Sequence, residues 1–264
     1  YPNGSADVND FHQQDGTPAV IHTLLKNGLL HGEIRTAYGM PFTQATQFPE
    51  PADNKIHWRP ARDPAPDSSI LRPASQPFSS SGGLRLLHGN LGRAIIKTSA
   101  LPTSMPQHIS APARVFSSQE AMLAAYKSGE LNCNFIAVLP GQGPSANGMP
   151  ELHKLTPALT SLQNQGFQVA LVTDGRMSGA SGKFPAAIHV TPEAVRGGLI
   201  GKIRDGDLLE IDWNHNRIEL HVAQTTLAQR PPYELPPQTG TLGRNLFANA
   251  RAHVSTADTG ASFI

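Results

Sequence analysis

Two short, wholly apolar segments constrain the fold of this 264-residue chain more than any other feature. Phe135–Leu139 and residues 169–172 carry no polar side chain, and each is followed by a glycine-rich polar loop. Strands of this kind are buried on both faces, as in parallel sheets covered by helices. In such sheets, ligands bind where the strands release their carboxyl ends. The sequence therefore predicts an α/β fold whose functional groups lie in these two loops.

Other segments complete a mixed α/β pattern. Helices are predicted over residues 17–27, from a capping box at Ser117-x-x-Glu120 to Gly129, and from residue 156 to Gly166. Further strands are predicted at four short segments and in a hairpin with one polar face: 84–87, 94–98, 113–116, 187–190 and 209–222.

Proline and serine divide the chain into parts. Eight prolines and the run Ser79-Ser80-Ser81-Gly82-Gly83 fall between residues 39 and 83, where we expect no regular structure. A connection of this length is unusual inside one compact domain. We therefore predict three parts: residues 1–38 as the tail of a preceding domain, 39–83 as a linker, and 84–264 as a second, complete domain. The opening Tyr1-Pro2-Asn3-Gly4 lacks an initiator Met and suits a piece of a longer protein.

Charge and cysteine content exclude several classes of function. The chain has 21 Lys and Arg against 20 Asp and Glu, so it shows no bias toward nucleic acid or anionic membranes. No apolar run reaches the roughly 18 residues of a membrane-spanning helix. The single cysteine, Cys133, cannot form an intramolecular disulfide or complete a zinc or iron-sulfur site from this chain alone. We expect a reducing, cytoplasmic compartment, with Cys133 acting as a small apolar residue.

The first loop, residues 141–154, combines glycines with Asn147, Glu151 and His153. Glycines let backbone amides approach an anion, and the Glu151 carboxylate is able to hold a hard cation such as Mg²⁺. The alternative is a tight loop in which Glu151 only interacts with the N-terminus of the following helix.

The second loop, residues 173–183, concentrates polar groups around three glycines. Its backbone amides could cradle an anionic substrate, while Arg176 or Lys183 neutralises a carboxylate or phosphate. A Walker A loop is excluded because Met177 stands where its first glycine is required. A nucleophile elbow is excluded because neither loop serine, Ser178 or Ser181, has glycine at both flanking positions.

The remaining candidates are single residues. Among eleven histidines no His-Glu-x-x-His pairing occurs, and His153 is kept because it is near Glu151. His189 lies in an apolar strand and is interpreted as a structural imidazole with satisfied hydrogen bonds. Lys97 either is exposed on its strand or points into the site, and the sequence leaves both possibilities open.

Together, these loops resemble a known family. Thr173-Asp174-Gly175-Arg176-Met177-Ser178-Gly179 and Gly148-Met149-Pro150-Glu151 are similar to motifs of the dihydroxy-acid dehydratase and phosphogluconate dehydratase family. Residues 146–155, 178–183 and 186–194 favour the phosphogluconate branch, because dihydroxy-acid dehydratases typically carry Phe in place of Met177 and lack the Leu-His-Lys continuation. The likeness runs nearly end to end and is loosest across residues 40–75.

The resemblance implies a fold and cofactors. It implies a C-terminal, β-barrel-like α/β domain flanked by helices, preceded by the tail of an N-terminal domain and the proline-rich linker. In the family, that N-terminal domain supplies the cysteines for a 4Fe-4S cluster, so we expect no cluster ligand in this chain and no activity from it alone. The full-length enzyme is expected to be a homodimer that also uses Mg²⁺ and binds neither nucleic acid nor membrane.

The resemblance also implies a reaction, the dehydration of 6-phospho-D-gluconate to 2-dehydro-3-deoxy-6-phospho-D-gluconate in the Entner–Doudoroff pathway. By resemblance, Glu151 is a Mg²⁺ ligand and Ser178 is the base that removes the C2 proton. A second set would bind and orient the substrate: Arg176, Ser181, Lys183 and Asn147.

Two alternatives remain open at this point. The first is a dehydratase of another sugar acid or of a dihydroxy acid. The second is a phospholigand-binding module that has lost its cluster domain, although residues 1–38 look like the end of a missing domain.

Overall fold

The computed structural model describes residues 6–37, 39–99, 101–177, 183–236 and 240–263, and the chain divides into two units, Tyr1–Gly82 and Gly83–Ile264. In the first unit, α1 (Val8–Gln13) and α2 (Gly16–Lys26) come first. The predicted helix over residues 17–27 is confirmed.

The expectation that residues 39–83 lack regular structure is wrong in part. A 3-10 turn (Phe42–Thr46) leads into an antiparallel hairpin of β1 (Gln47–Ala52) and β2 (Lys55–Pro60). The two-residue connection, Asp53-Asn54, has positive φ at both positions, which matches the twist of a tight hairpin. Prolines are tolerated here because both strands of a two-stranded sheet are edges. The assignment of these segments to a domain tail and a linker stays a prediction.

The second unit is built on a closed barrel of eight strands, which confirms the predicted barrel-like α/β fold. In chain order the strands are β3 (Leu84–Gly89), β4 (Gly92–Lys97), β5 (His108–Val115), β6 (Phe135–Leu139), β7 (Val169–Thr173), β8 (Ala186–Thr191), β9 (Leu208–Asp212) and β10 (Arg217–Leu220). Around the barrel the order is β10-β3-β4-β8-β7-β6-β5-β9. Strands β5, β6, β7 and β8 run parallel, and the other pairs are antiparallel except β10 with β3.

The apolar strands β6 and β7 are buried on both faces, as predicted. Ile136 and Val172 belong to the core inside the barrel, whereas Phe135 and Leu171 belong to a second core outside it. Helices α3 (Gln119–Lys127) and α5 (Thr156–Asn164) contribute to this outer core. The two cores hold β6 and β7 in place, and with them the loops that follow.

The described part of the second unit has four further α-helices: α4 (Pro144–Asn147), α6 (Gln224–Gln229), α7 (Leu242–Leu246) and α8 (Ala248–His253). The predicted N-cap of α3 is wrong by one residue. Ser118, and not Ser117, accepts the capping hydrogen bond, which the amide of Ala121 donates at 3.1 Å. Among the described residues, no helix is both long enough and apolar enough to cross a membrane.

Candidate functional site

The two polar loops meet at one end of the barrel. Strands β6 and β7 are parallel and in register, with Leu139 opposite Thr173, so both loops leave the barrel on the same side. The buried carboxylate of Asp174 accepts hydrogen bonds from the amides of Gly141 (3.0 Å), Gln142 (2.8 Å) and Ala194 (2.9 Å). Asp174 therefore fixes both loops and the segment after β8 relative to one another.

Burial raises the pKa of Asp174 to about 6. The three amide donors lower this pKa and the nearby Glu193 carboxylate raises it, but both effects are smaller than that of desolvation. The carboxyl group is fully covered. Asp174 is thus a structural carboxylate between the two loops, and it is not exposed to solvent.

A second buried carboxylate, Glu193, organises the start of α4. It accepts hydrogen bonds from the amides of Ser145 (3.1 Å) and Ala146 (3.2 Å) at the N-terminus of that helix. A side chain at Gly143 would place a Cβ only 2.3 Å from Glu193 Oε2, so this glycine is required by close approach. Our sequence reasoning missed Glu193, because its role depends on contacts 47 and 48 residues away.

Glu151 and Arg176, one from each loop, are brought together. They form a parallel β-bridge, and Arg176 Nη1 lies 3.5 Å from Glu151 Oε2. Arg176 Nε also donates a hydrogen bond to the carbonyl of Met149 at 2.9 Å. The interpretation of Glu151 as a residue that serves only the following helix is thereby disfavoured, because its carboxylate faces Arg176.

Glu151 and Arg176 line a cleft of about 500 Å³ on the outside of the barrel. Lys97 on β4 and His189 on β8 line the same cleft. The rest of the lining is apolar: Leu84, Ile95, Met177, Phe184, Ala186 and Ile188. A cleft with two cationic side chains, one carboxylate and an apolar wall suits a small, anionic organic molecule.

The other predicted residues are placed differently. Asn147 lies outside this cleft and borders a separate cavity of about 380 Å³, where its amide oxygen accepts a hydrogen bond from Arg244 at 2.9 Å. Lys183 is exposed, and its backbone carbonyl accepts a hydrogen bond from Gln163. His153 is exposed in a 3-10 turn. Ser178 and Ser181 lie outside the described residues.

The described residues contain no group of three or more His, Cys, Asp or Glu side chains arranged to hold a metal. Cys133 is exposed, so the expectation that it packs as a small apolar residue is wrong. The reason is its position in the bend before β6, two residues ahead of the first strand residue, Phe135. Glu151 fits as one carboxylate ligand of a Mg²⁺ ion, which commonly takes one or two protein carboxylates and keeps several waters.

Comparison with known proteins identifies the family to which the chain belongs. The sequence profile described as "Dihydroxy-acid/6-phosphogluconate dehydratase C-terminal" matches residues 69–261. The chain belongs to this family. The phosphogluconate dehydratase of Pseudomonas aeruginosa is 48% identical over 265 residues, which cover 99% of this chain and 43% of that protein. The phosphogluconate dehydratase of Escherichia coli K12 is 45% identical over 266 residues, covering 100% of this chain and 44% of that protein.

A more distant relative belongs to the other branch of the family. The dihydroxy-acid dehydratase of Lactococcus lactis is 35% identical over 246 residues, which cover 92% of this chain and 40% of that protein. The chain thus spans less than half the length of these relatives and corresponds to the C-terminal part of the family. The resemblance seen in the loop motifs is confirmed.

Proposed function

We propose that the enzyme containing this chain dehydrates 6-phospho-D-gluconate to 2-dehydro-3-deoxy-6-phospho-D-gluconate. The observation that carries the proposal is the 45–48% identity to phosphogluconate dehydratases over essentially the whole chain, against 35% to a dihydroxy-acid dehydratase. The reaction places the enzyme among the hydro-lyases of the Entner–Doudoroff pathway.

The cleft supports this substrate class. The substrate carries a carboxylate and a phosphate, and the cleft offers two cationic side chains, Lys97 and Arg176. A guanidinium binds either group through paired hydrogen bonds, whereas an ammonium acts as a point charge. Arg176 is held by its bond to the carbonyl of Met149, so it meets the substrate in one orientation. Ser181 and Lys183, from the loop after β7, and Asn147, which borders the separate cavity, are the other proposed binding residues.

Proton removal at C2 is assigned to Ser178. A free serine hydroxyl is far too weak a base, so this role requires donors or a cation that stabilise its alkoxide. Glu151 would hold a Mg²⁺ ion from this chain, and that ion and a 4Fe-4S cluster would supply Lewis acidity to the site. The cluster ligands are proposed to lie outside this chain, in the N-terminal part that its relatives have.

The proposal extends to assembly and compartment. A homodimer is supported by apolar side chains exposed on and beside α7, among them Leu242 and Leu246. A single, exposed Cys133 suits a reducing cytoplasm. Size-exclusion chromatography with light scattering on the full-length protein tests the first point.

The decisive experiment measures formation of the 2-keto acid by the full-length protein, purified without oxygen, with and without Mg²⁺. We expect turnover of 6-phosphogluconate that is lost in Ser178→Ala and in Glu151→Gln. Arg217→Lys, in an exposed ion pair with Glu210, is the matched control and should retain wild-type turnover. Turnover of gluconate or a dihydroxy acid in preference to 6-phosphogluconate would overturn the substrate assignment. A protein with an intact cluster and no dehydratase activity would overturn the reaction.

A further inference from the structure

Strand β8 contains a β-bulge centred on His189. Ile95 of β4 pairs with Ile188 of β8, but Arg93 pairs with Thr191, so β8 has one residue more than its partner between these positions. His189 has φ of 56°, in the left-handed region. This conformation is uncommon in residues other than glycine, although histidine adopts it more often than most, and it is unexpected in the middle of a strand.

The bulge changes which face His189 occupies. Ala187 and Val190 both belong to the core inside the barrel, although they are three residues apart. In a regular strand, His189 would face inward with Ala187. Instead, Ile188 and His189 both line the cleft outside the barrel. The extra residue therefore turns the imidazole from the barrel interior toward Glu151 and Arg176.

The bulge is tied to the second polar loop. The amide of His189 donates a hydrogen bond to the carbonyl of Gly175 at 2.9 Å, next to Arg176 in the chain. The imidazole itself is half-buried and makes no hydrogen bond with any residue that the structure describes. The described residues therefore give no support to the interpretation of His189 as a structural imidazole whose ring nitrogens are satisfied by the protein, and they leave the ring able to bind a ligand in the cleft.

The surroundings also favour an uncharged ring. Burial, and to a lesser extent the positive charge of Arg176, lowers the pKa of His189. A neutral imidazole presents one donor and one acceptor, whereas the other polar groups that line the described cleft carry a full charge. Such a ring suits a hydroxyl group, which both donates and accepts.

We propose that His189 contacts the substrate of the dehydratase by hydrogen-bonding a hydroxyl group of the sugar-acid chain. The inference rests on the proposed function, from which the class of ligand is taken. Strained backbone persists where the surrounding structure enforces it, and bulges next to active sites redirect side chains. Here the bulge places a neutral hydrogen-bonding group in the same cleft as Glu151 and Arg176.

The test replaces His189 in the full-length enzyme and follows kcat and KM for 6-phosphogluconate. His189→Asn and His189→Gly both suit the left-handed backbone, so they preserve the bulge while removing the ring. We expect each to lower kcat/KM about tenfold or more, because a hydrogen bond to the substrate is lost in a partly desolvated site. Added imidazole should restore part of the activity of His189→Gly, which a purely structural role would not produce. His88→Asn, at an exposed position on β3, should behave as wild type.

The outcomes separate this inference from the proposed function. Wild-type kcat/KM in both variants, with the wild-type enzyme active, would overturn the role of His189 and leave the dehydratase assignment intact. Failure of both variants to fold, judged by circular dichroism and thermal melting, would make the ring structural and also overturn it. Absence of turnover in the wild-type enzyme would overturn the proposed function and, with it, the contact proposed here.

Discussion

The carboxylate of Asp174 accepts a hydrogen bond from the backbone amide of Gln142 at 2.8 Å, which joins the loop after β7 to the loop after β6. Because the pKa of Asp174 is raised from 3.8 to about 6, the folded state binds a proton in a pH range where the unfolded state has released it. The contribution of the protonated Asp174 carboxyl group to the free energy of unfolding is complete below pH 3.8, and it is lost as the pH rises through about 6.

Replacement of Asp174 by Asn should remove this pH dependence. The wild-type free energy of unfolding should contain a component that falls by roughly 3 kcal/mol across this window, and Asp174→Asn should lack it. Urea unfolding of both proteins at several pH values gives the comparison. The variant should also be less stable at low pH by about 1–3 kcal/mol, because its single carbonyl oxygen serves three amide donors less well than a carboxyl group. Parallel pH profiles for the two proteins would contradict this account.

Gly175 has no space for a side chain. A Cβ at this position would lie 2.6 Å from Gln142 Cβ and 3.2 Å from the Gln142 carbonyl oxygen. Gly175→Ala should therefore destabilise the chain by about 1–3 kcal/mol through overpacking between the two loops. Gly243→Ala, in the exposed helix α7 with open space around it, is the matched control. It should be neutral or slightly stabilising. Equal melting temperatures for the two variants would show that the loops can separate at no cost.

The sequence predicted the local elements well because their signals are local. The apolar runs that became β6 and β7, and the loops that follow them, were placed from the residues themselves, and parallel pairing then required the loops to meet. The ion pair of Glu151 with Arg176 was not predicted, although both residues lie in the loops that were expected to meet. A capping serine misplaced by one residue at the start of α3 changed nothing in the fold.

What the sequence did not reveal depends on long-range contacts. The Glu193 carboxylate caps α4 across 47 and 48 residues, and no local pattern marks it. The side of β8 that His189 occupies could not be read from the sequence, because strand alternation is counted without bulges, and one inserted residue reverses it. The hairpin of β1 and β2 was missed because prolines were read as breakers, although a two-stranded sheet has free edges where they fit.

Asp15 should be essential to the first unit. Its fully buried carboxylate bonds the guanidinium of Arg59 at 2.6 Å and that of Arg62 at 2.7 Å, linking the start of α2 to the end of the hairpin. Hydrogen bonds from Arg59 hold the pKa of Asp15 far below its usual range, so its contribution is present at neutral pH and is lost as the pH falls below 3.8. Asp15→Asn should destabilise this unit by about 1–3 kcal/mol, because the buried side chain loses the charge that pairs with two guanidinium groups, of which that of Arg62 is largely exposed.

Hydrogen exchange of the amides in α2 and β2 provides the measurement, since it reports on this unit separately. The matched control is Asp63→Asn, which removes an exposed ion pair with Lys26 and should cost less than about 1 kcal/mol. Protection factors that stay unchanged in Asp15→Asn would contradict the structural role given to this carboxylate.

Arg176 should govern affinity for the substrate. Its guanidinium donates to the Met149 carbonyl through Nε and faces Glu151 through Nη1, so both its position and its orientation are fixed. A lysine has one ammonium group and cannot reproduce this planar, two-sided arrangement.

In the full-length enzyme, Arg176→Lys should raise the KM for 6-phosphogluconate about tenfold, because a paired hydrogen bond to carboxylate or phosphate is replaced by a point charge. The free energy of unfolding should change by less than about 1 kcal/mol, since the side chain is largely exposed. Steady-state kinetics of Arg176→Lys and of the control Arg217→Lys gives the comparison. The control shows whether replacing any surface arginine by lysine changes KM. An unchanged KM in Arg176→Lys would exclude this residue from the substrate site and leave the ion pair with Glu151 as its role.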